Sequence, residues 1–348
     1  MAIKKRIALI LVTVMTLTLI VTGMTFTAFA EEGENIAFTV EHADGTVTEY
    51  APEGDESLSA EVRAGNAFVT VITNAKAGDK ITALMDFDIP SGDHKLSVNA
   101  TIDLGGNTVT TSGRILIQPK VKLSVSNGTI DKTAKEFIYM SEYGTGVSET
   151  TVELKDVVVK KAGDAANTAL IDLRAGNVIF DNVTANDGEY SNEPKASHIS
   201  LIHVGYRTRT LDQPINIEVK NSNIRTRGTS FITALGTSNQ GADMGGYALN
   251  IAIKDSVVAV DHYILLSSAS ADVAGKSSIN ITATGSTTLT SDIPVIIPAT
   301  FTHEKVNIMI GYGVTTKKPK PEVGTVTLGE DGNGVLDLRT LSDTKNIG

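Results

Sequence analysis

A repeated unit of two short apolar strands, visible three times between Phe137 and Asn223, restricts the fold of this chain more than any other feature. Each copy has a first strand, a connector of variable length, a second strand with alternating apolar residues, and an Asn or Asp at a turn. Equivalent first strands begin at Arg114, Phe137, Leu170, Leu201, Phe231, Leu265 and Val295. These intervals fall in the roughly 20–50-residue range of solenoid repeats, in which each unit buries its apolar face by stacking on its neighbours.

The residue at the turn after each second strand is Asn, Asp or Gly. A tight bend between two strands often needs a backbone in the left-handed region, which these three residue types tolerate best. Stacked units would place the turn residues above one another, where side-chain amides can form hydrogen bonds along the stack. The sequence therefore predicts left-handed residues at Asn127, Asp156, Asn182, Asn221, Asp255 and Gly285.

The segment from Gly78 to Val109 carries a family resemblance. It reads GDKITAL, then Asp86 and Asp88, then TIDLGGNTV. This pattern resembles the opening of secreted bacterial right-handed parallel β-helix proteins of the pectate-lyase-like superfamily, and the resemblance covers about 80–314. It implies an all-β solenoid, a right-handed parallel β-helix of about eight coils, with a short N-terminal helix capping the first coil. The superfamily contains lyases, hydrolases, adhesins and scaffolds, so the resemblance implies a fold rather than an activity.

Residues 1–30 have the pattern of a secretory signal peptide. Three basic residues at 4–6 precede an apolar run, and Ala28-Phe29-Ala30 forms a small-residue cleavage site. We expect export, to the extracellular space or the cell surface, and no membrane span after cleavage. The chain has no cysteine and a formal net charge of −10. An acidic protein repels nucleic acid, so nucleic acid is not an expected partner.

The predicted domain order follows the chain. Residues 31–65 form a hairpin around Asp44-Gly45 and a loop, and 66–316 form a capping helix and the β-helix. Residues 317–348 form a Pro/Lys linker and a final hairpin. The helix is predicted to start with Asn66 as its N-cap and to end before Gly78, because apolar residues recur at helical spacing between them. An independent strand is the competing interpretation, given the valines and threonines in this segment.

Candidate catalytic residues come from aligning the first strands. Alternation puts one apolar column inside, namely Ile138, Ile171, Ile202, Ile232, Leu266 and Ile296. It places a polar column outside, namely Tyr139, Asp172, His203, Thr233 and Ser267, on a face shared with Phe137, Leu170, Leu201, Phe231 and Leu265. Asp172 and His203, with Tyr139 and Arg174 nearby, are candidates for general acid–base work on a sugar. The alternative is an ordinary solvated polar face.

Candidate ligand-binding residues lie in and near two long connectors, 186–195 and 206–214. They are the aromatic and basic residues Tyr206, Arg207, Arg209, Arg225 and Arg227. Loops on a rigid scaffold commonly bind ligands, and arginines suit carboxylated or sulfated glycans or a protein partner. Solvated loops whose arginines balance nearby acidic residues remain the simpler alternative.

Two functions follow from these patterns. The first is an exported, non-catalytic scaffold that binds an extracellular glycan or a surface protein. The second is a polysaccharide lyase or glycoside hydrolase, although the Asp-rich and histidine signatures of the best-known enzymes with this fold are not found. No metal site or cofactor is predicted. Asp187-Gly188-Glu189 suggests Ca²⁺ but lacks the ligand spacing of an EF-hand loop. The oligomeric state is left open.

Overall fold

The computed structural model describes residues 35–131, 135–140, 146–160, 169–173, 175–186, 200–205, 214–226, 230–235, 248–260, 264–268, 278–290, 295–297, 305–310, 315–317, 327–328 and 334–336. The predicted signal peptide, residues 1–30, lies outside these ranges. Within them, no helix has both the length and the apolar character needed to cross a membrane.

The predicted N-terminal hairpin is confirmed. Strands β1 (Phe38–Glu41) and β2 (Val47–Tyr50) pair antiparallel around the Asp44-Gly45 turn. The other edge of β1 pairs antiparallel with β3 (Asp79–Ala83). The hairpin is therefore hydrogen-bonded to the first strand of the repeat region.

The predicted helix is confirmed, but its predicted start is wrong. Helix α1 spans Ala60–Asn74, and the Ser59 hydroxyl caps it by accepting a hydrogen bond from the Val62 N–H at 3.3 Å. Asn66 is not the N-cap: it lies inside the helix, and its amide donates to the Glu53 carbonyl. Glycine is needed at position 65 inside this helix, because a Cβ there would lie 1.7 Å from the Asp88 carbonyl oxygen.

Beyond α1 the strands form three rows, in which each strand pairs in parallel with the equivalent strand of the next repeat unit. The first row contains β3, β6 (Ala100–Asp103), β9 (Lys122–Asp131), β11 (Thr151–Lys160), β13 (Gly176–Asp181), β16 (Ile215–Lys220), β19 (Ala248–Lys254), β22 (Ser278–Thr284) and β25 (Lys305–Ile310). The second row contains β4 (Phe87–Ile89), β7 (Thr108–Thr111), the second halves of β9 and β11, β14 (Thr184–Asn186), β17 (Asn223–Thr226), β20 (Val257–Val260), β23 (Thr288–Thr290) and β26 (Thr315–Lys317).

The third row forms a separate sheet. It contains β5 (Asp93–Leu96), β8 (Arg114–Ile117), β10 (Ile138–Tyr139), β12 (Ile171–Leu173), β15 (Ser200–Gly205), β18 (Ser230–Leu235), β21 (Leu265–Ser268) and β24 (Val295–Ile297). A short antiparallel pair, β27 (Thr327–Leu328) and β28 (Gly334–Leu336), joins this sheet through β24. The described chain is therefore all-β, with one α-helix and long sheets of parallel strands.

The predicted left-handed turns are confirmed at all six positions. The residues Asn127, Asp156, Asn182, Asn221, Asp255 and Gly285 have φ between 48° and 65°. The predicted hydrogen bonding along the stack also occurs, since the Asn182 amide donates to the Asp156 carboxylate at 2.6 Å. The residues that follow two of these turn positions, Ser222 and Ser256, are buried, and the Ser222 N–H donates to the Ser256 hydroxyl oxygen at 3.0 Å.

A second ladder of side-chain amides follows the first row. The amide of Asn216 donates to Asn177, that of Asn250 to Asn216, and that of Asn280 to Asn250, each at 2.8 Å. Each of these asparagines is half-buried and faces away from the buried valine or isoleucine that follows it. The ladder fixes the register between neighbouring repeat units, since each amide meets its partner only in this alignment.

The buried apolar residues form one continuous cluster from Ala37 to Leu289. Beside α1 this core begins with three phenylalanine rings, Phe38, Phe68 and Phe87, whose centroids lie 4.8–5.6 Å apart. The cluster runs through all three rows, so the helix and the repeat units share a single interior.

The prediction that five apolar residues share the outer face with the polar column is wrong. All five are at most 1% exposed, namely Phe137, Leu170, Leu201, Phe231 and Leu265. The Phe231 ring lies 6.2 Å from the core ring Phe180, so this position faces the interior. Phe137 and Leu170 precede β10 and β12 by one residue, where strand alternation does not apply.

The predicted alignment of the sixth unit is wrong by one residue. Ile232 pairs with Leu265 instead of Leu266, and Thr233 pairs with Leu266 instead of Ser267. In the same way Val295 follows Leu265 in the inner column. An apolar run from Ile264 to Leu266 occurs here, so the pattern alone does not specify which residue faces the core.

Candidate functional site

The third row is the part of the sheet structure at which the chain inserts extra residues. Connections from the first to the second row are short; β13 and β14, for example, are separated only by Asn182 and Val183. Within the repeat region the long connections all start or end at a third-row strand, and they cover 140–150, 161–170, 187–199, 206–214, 236–247 and 269–277. Long connections on a regular scaffold are where binding residues concentrate. The third-row strands next to these connections, β10 to β21, are therefore the first place to look for a site.

A polar column occupies the outward register of these strands. Tyr139 pairs with Asp172, Asp172 with His203, and His203 with Thr233 on successive parallel strands. The predicted adjacency of Asp172 and His203 is thus present, with Tyr139 on the other side of Asp172. Successive strands in a sheet lie about 4.8 Å apart, so neighbouring side chains of this column are within contact range.

Most of the polar column is shielded from solvent. Asp172 is 8% exposed and Thr233 is fully buried, whereas His203 and Tyr139 are half-buried. His203 Nδ1 lies 3.0 Å from the Thr233 hydroxyl oxygen, which in turn lies 2.7 Å from the Ser200 hydroxyl oxygen. These contacts hold the imidazole in one orientation beside the Asp172 carboxylate.

An arginine that the sequence analysis did not single out organises the start of this face. Arg114 makes two hydrogen bonds to the Asp93 carboxylate, at 2.7 and 3.1 Å, and one to Glu136 at 2.8 Å. Its guanidinium carbon also lies 3.7 Å from the centre of the Tyr139 ring. Arg114, Asp93, Glu136 and Tyr139 are called the Arg114 cluster below.

The electrostatics of the Arg114 cluster are those of a closed ion network. The hydrogen bonding of Arg114 to the Asp93 carboxylate lowers the pKa of Asp93 below its ordinary value, although burial acts in the opposite direction. Burial alone lowers the pKa of Arg114, but the hydrogen bonds to Asp93 and Glu136 outweigh it and raise that pKa. With its donors used by two carboxylates, Arg114 positions Tyr139 and adds no surplus positive charge to the face.

The sequence contained a signal for this cluster. Asp93 and Arg114 are paired in register on β5 and β8, one repeat unit apart. Glu136 precedes the next third-row strand, β10. Opposite charges at equivalent positions of successive units therefore indicated an ion network, but only once the third row had been aligned back to Asp93.

The structure does not unite all the predicted site residues. Arg225 lies on β17 in the second row, where it is exposed and its Nε donates to the Asn223 side chain at 3.0 Å. It is therefore on a different row from the polar column. The other predicted residues, Arg174, Tyr206, Arg207, Arg209 and Arg227, lie outside the described residues.

Within the described ranges, His, Asp and Glu side chains form no group of three that could hold a metal ion. The site residues that the structure does describe are hydrogen-bonding and aromatic groups. Such groups suit hydroxyl-rich ligands, because hydroxyls both donate and accept hydrogen bonds.

The chain matches no protein-family model, no curated protein and no solved structure among those compared with it.

Proposed function

We propose that the chain is an exported right-handed parallel β-helix of about eight coils, related to the pectate-lyase-like superfamily, with α1 capping the first coil. Three rows of parallel strands support this proposal, since strands of the first, second and third row follow one another in the same order in successive repeat units. The left-handed residue between first-row and second-row strands supports it too. Export rests on the sequence of residues 1–30.

The proposed function is binding of an extracellular glycan at the third row. The observation that carries it is the coincidence of the long connections with the strands that bear Asp172 and His203. A phenol, a carboxylate and an imidazole in one column offer donors and acceptors at a spacing of about 4.8 Å, and a hydroxyl-rich ligand can both donate to and accept from such groups. Arg207 and Arg209, in connection 206–214, are proposed as ligand-binding arginines.

Glycan cleavage is the second candidate function. It is favoured by one observation, the register pairing of a nearly buried carboxylate, Asp172, with His203. A carboxylate can orient an imidazole for proton transfer, and burial strengthens their interaction. In this case the chain would be a polysaccharide lyase or a glycoside hydrolase.

A glycan array probed with residues 31–348 tests the binding function. We expect retention of at least one extracellular polysaccharide, weakened about tenfold or more by Arg207→Ala/Arg209→Ala, since losing a charge-assisted hydrogen bond costs about 1.5–3 kcal/mol. Arg225→Ala is the matched control, because this exposed arginine lies on the second row, and it should bind like the wild type. Binding that is insensitive to the double variant but lost in Arg225→Ala would refute the third-row site.

The same polysaccharides, incubated with the protein and assayed for new reducing ends and for unsaturated products, separate binding from cleavage. The binding proposal expects neither product. Product formation that disappears in His203→Gln would establish the enzyme instead.

A further inference from the structure

A second set of chemically active side chains lies outside the third row, at the N-terminal hairpin and the first strand of the repeat region. His42 follows β1, Thr48 is on β2, and Asp79 begins β3. His42 Nδ1 lies 2.9 Å from Asp79 Oδ1, and His42 Nε2 lies 3.1 Å from the Thr48 hydroxyl oxygen. Hydroxyl, imidazole and carboxylate are thus connected in a single chain of hydrogen bonds.

The carboxylate of this chain is fixed more firmly than a surface pair requires. The Asp79 side chain is fully buried, and its second oxygen accepts a hydrogen bond from the Lys76 N–H at 2.8 Å. The His42 ring is 14% exposed. Both groups are therefore held in position and largely removed from water, which strengthens the interaction between them.

These contacts also determine which ring nitrogen carries the proton. A carboxylate only accepts hydrogen bonds, so Nδ1 of His42 is the donor to Asp79. In the neutral ring Nε2 is then an unprotonated acceptor, and it faces the Thr48 hydroxyl. This is the arrangement that lets an imidazole remove a hydroxyl proton, with the carboxylate setting the tautomer and stabilising the charged ring.

We propose that Thr48 is an activated nucleophile for acyl transfer, with His42 as its general base and Asp79 as the positioning residue. Thr48 Oγ1 attacks the carbonyl carbon of an ester while its proton passes to His42 Nε2. The ester C–O bond breaks, and the leaving alcohol takes that proton. Water then attacks the threonine ester with the same base, which regenerates the hydroxyl and releases the acid.

The position of Thr48 suits this role. Among the described strands β2 pairs only with β1, so it is an edge strand, and Thr48 is half-buried rather than enclosed. The same hairpin supplies an internal control. Thr46 also carries a hydroxyl, but this group donates to the Asp44 carboxylate at 2.6 Å. The proposal is independent of glycan binding at the third row.

The experiment is labelling of residues 31–348 with a fluorophosphonate, followed by peptide mass spectrometry. The reagent forms an O–P bond at an activated hydroxyl and loses fluoride. Since general-base catalysis contributes about 10²–10⁴-fold, we expect Thr48 to be labelled at least about 100-fold faster than Thr46. Equal labelling of the two threonines, or no labelling of either, would overturn the proposal.

Three variants separate chemistry from a structural role. Thr48→Ser should retain labelling, whereas His42→Gln and Asp79→Asn should lose it, Asp79→Asn because an amide can favour the wrong tautomer. Each variant is checked by its melting temperature. A lowered melting temperature with unchanged labelling of Thr48 would show that the three residues only fasten the hairpin. If a variant fails to fold, the comparison of Thr48 with Thr46 in the wild type still decides.

Discussion

Gly65→Ala in α1 is expected to destabilise the protein, although the same change in an exposed helix stabilises it. Alanine is favoured over glycine by about 1 kcal/mol inside a helix. At Gly65, however, the new Cβ would lie 1.7 Å from the Asp88 carbonyl oxygen, whereas Cβ atoms in real structures stay at least 3.0 Å from such an atom. The two atoms must therefore separate by 1.3 Å, the difference between these distances.

The free-energy cost of moving the two atoms apart offsets the gain in helix propensity. Overpacking of a well-packed core costs about 1–3 kcal/mol, and here the obstacle is backbone rather than a flexible side chain. Moving α1 also shifts Phe68, whose ring centroid lies 4.8 Å from that of Phe87. We expect a net loss of up to about 2 kcal/mol, which is the overpacking cost of about 1–3 kcal/mol less the gain of about 1 kcal/mol in helix propensity.

Urea unfolding followed by circular dichroism measures this change, with Thr73→Ala as the matched control. Thr73 is exposed on the same helix, so its replacement should raise stability by a few tenths of a kcal/mol, from helix propensity alone. If Gly65→Ala stabilises the protein as much as Thr73→Ala does, α1 does not approach β4 as described and the reasoning is refuted.

Three further predictions concern the left-handed turns, the buried serines that follow them and the Arg114 cluster. Asn182→Ala should cost about 1–2 kcal/mol more than Asn182→Gly in the same unfolding assay, because only glycine adopts the φ of 55° without strain; equal effects would contradict the left-handed turn. Ser256→Ala should lower the free energy of unfolding by about 1–3 kcal/mol, since it leaves the Ser222 N–H unsatisfied, whereas Ser286→Ala at an exposed position should be neutral. Arg114→Met should cost about 2–3 kcal/mol near pH 6, less than a fully buried pair because Asp93 is 41% exposed. Because the folded-state pKa of Asp93 is lowered, its contribution is present above the unfolded-state value of about 3.9 and is lost as pH falls through the folded-state value. The difference in free energy of unfolding between the wild type and Arg114→Met should therefore become smaller below about pH 4. A difference that stays constant with pH would contradict a stabilising Arg114–Asp93 ion pair.

The repeat and its turns were predictable because each has a strict physical requirement. A left-handed bend admits few residue types, so all six predicted positions from Asn127 to Gly285 have a left-handed backbone. Strand alternation likewise placed Asp172 beside His203. These features follow from local backbone geometry, which a sequence expresses directly.

The features that were missed depend on contacts between distant segments. The helix start was placed too late because Asn66 has the residue type of an N-cap, whereas the actual cap is Ser59. The contact that requires glycine at position 65, with Asp88, joins segments that are distant in sequence. The apolar run at Ile264 to Leu266 fits two registers, and the paired neighbouring strands select one. The burial of Phe231 depends on its contact with the core ring Phe180, which lies on a strand of another row.

The central claim is that the third-row face around the polar column is the binding surface. Hydrogen exchange, measured with and without a polysaccharide retained on the array, tests it most directly. The account predicts slower exchange in β10, β12 and β15, with little change in the second-row strands β17 and β20. Protection confined to β17 and β20, with none in the third row, would contradict it.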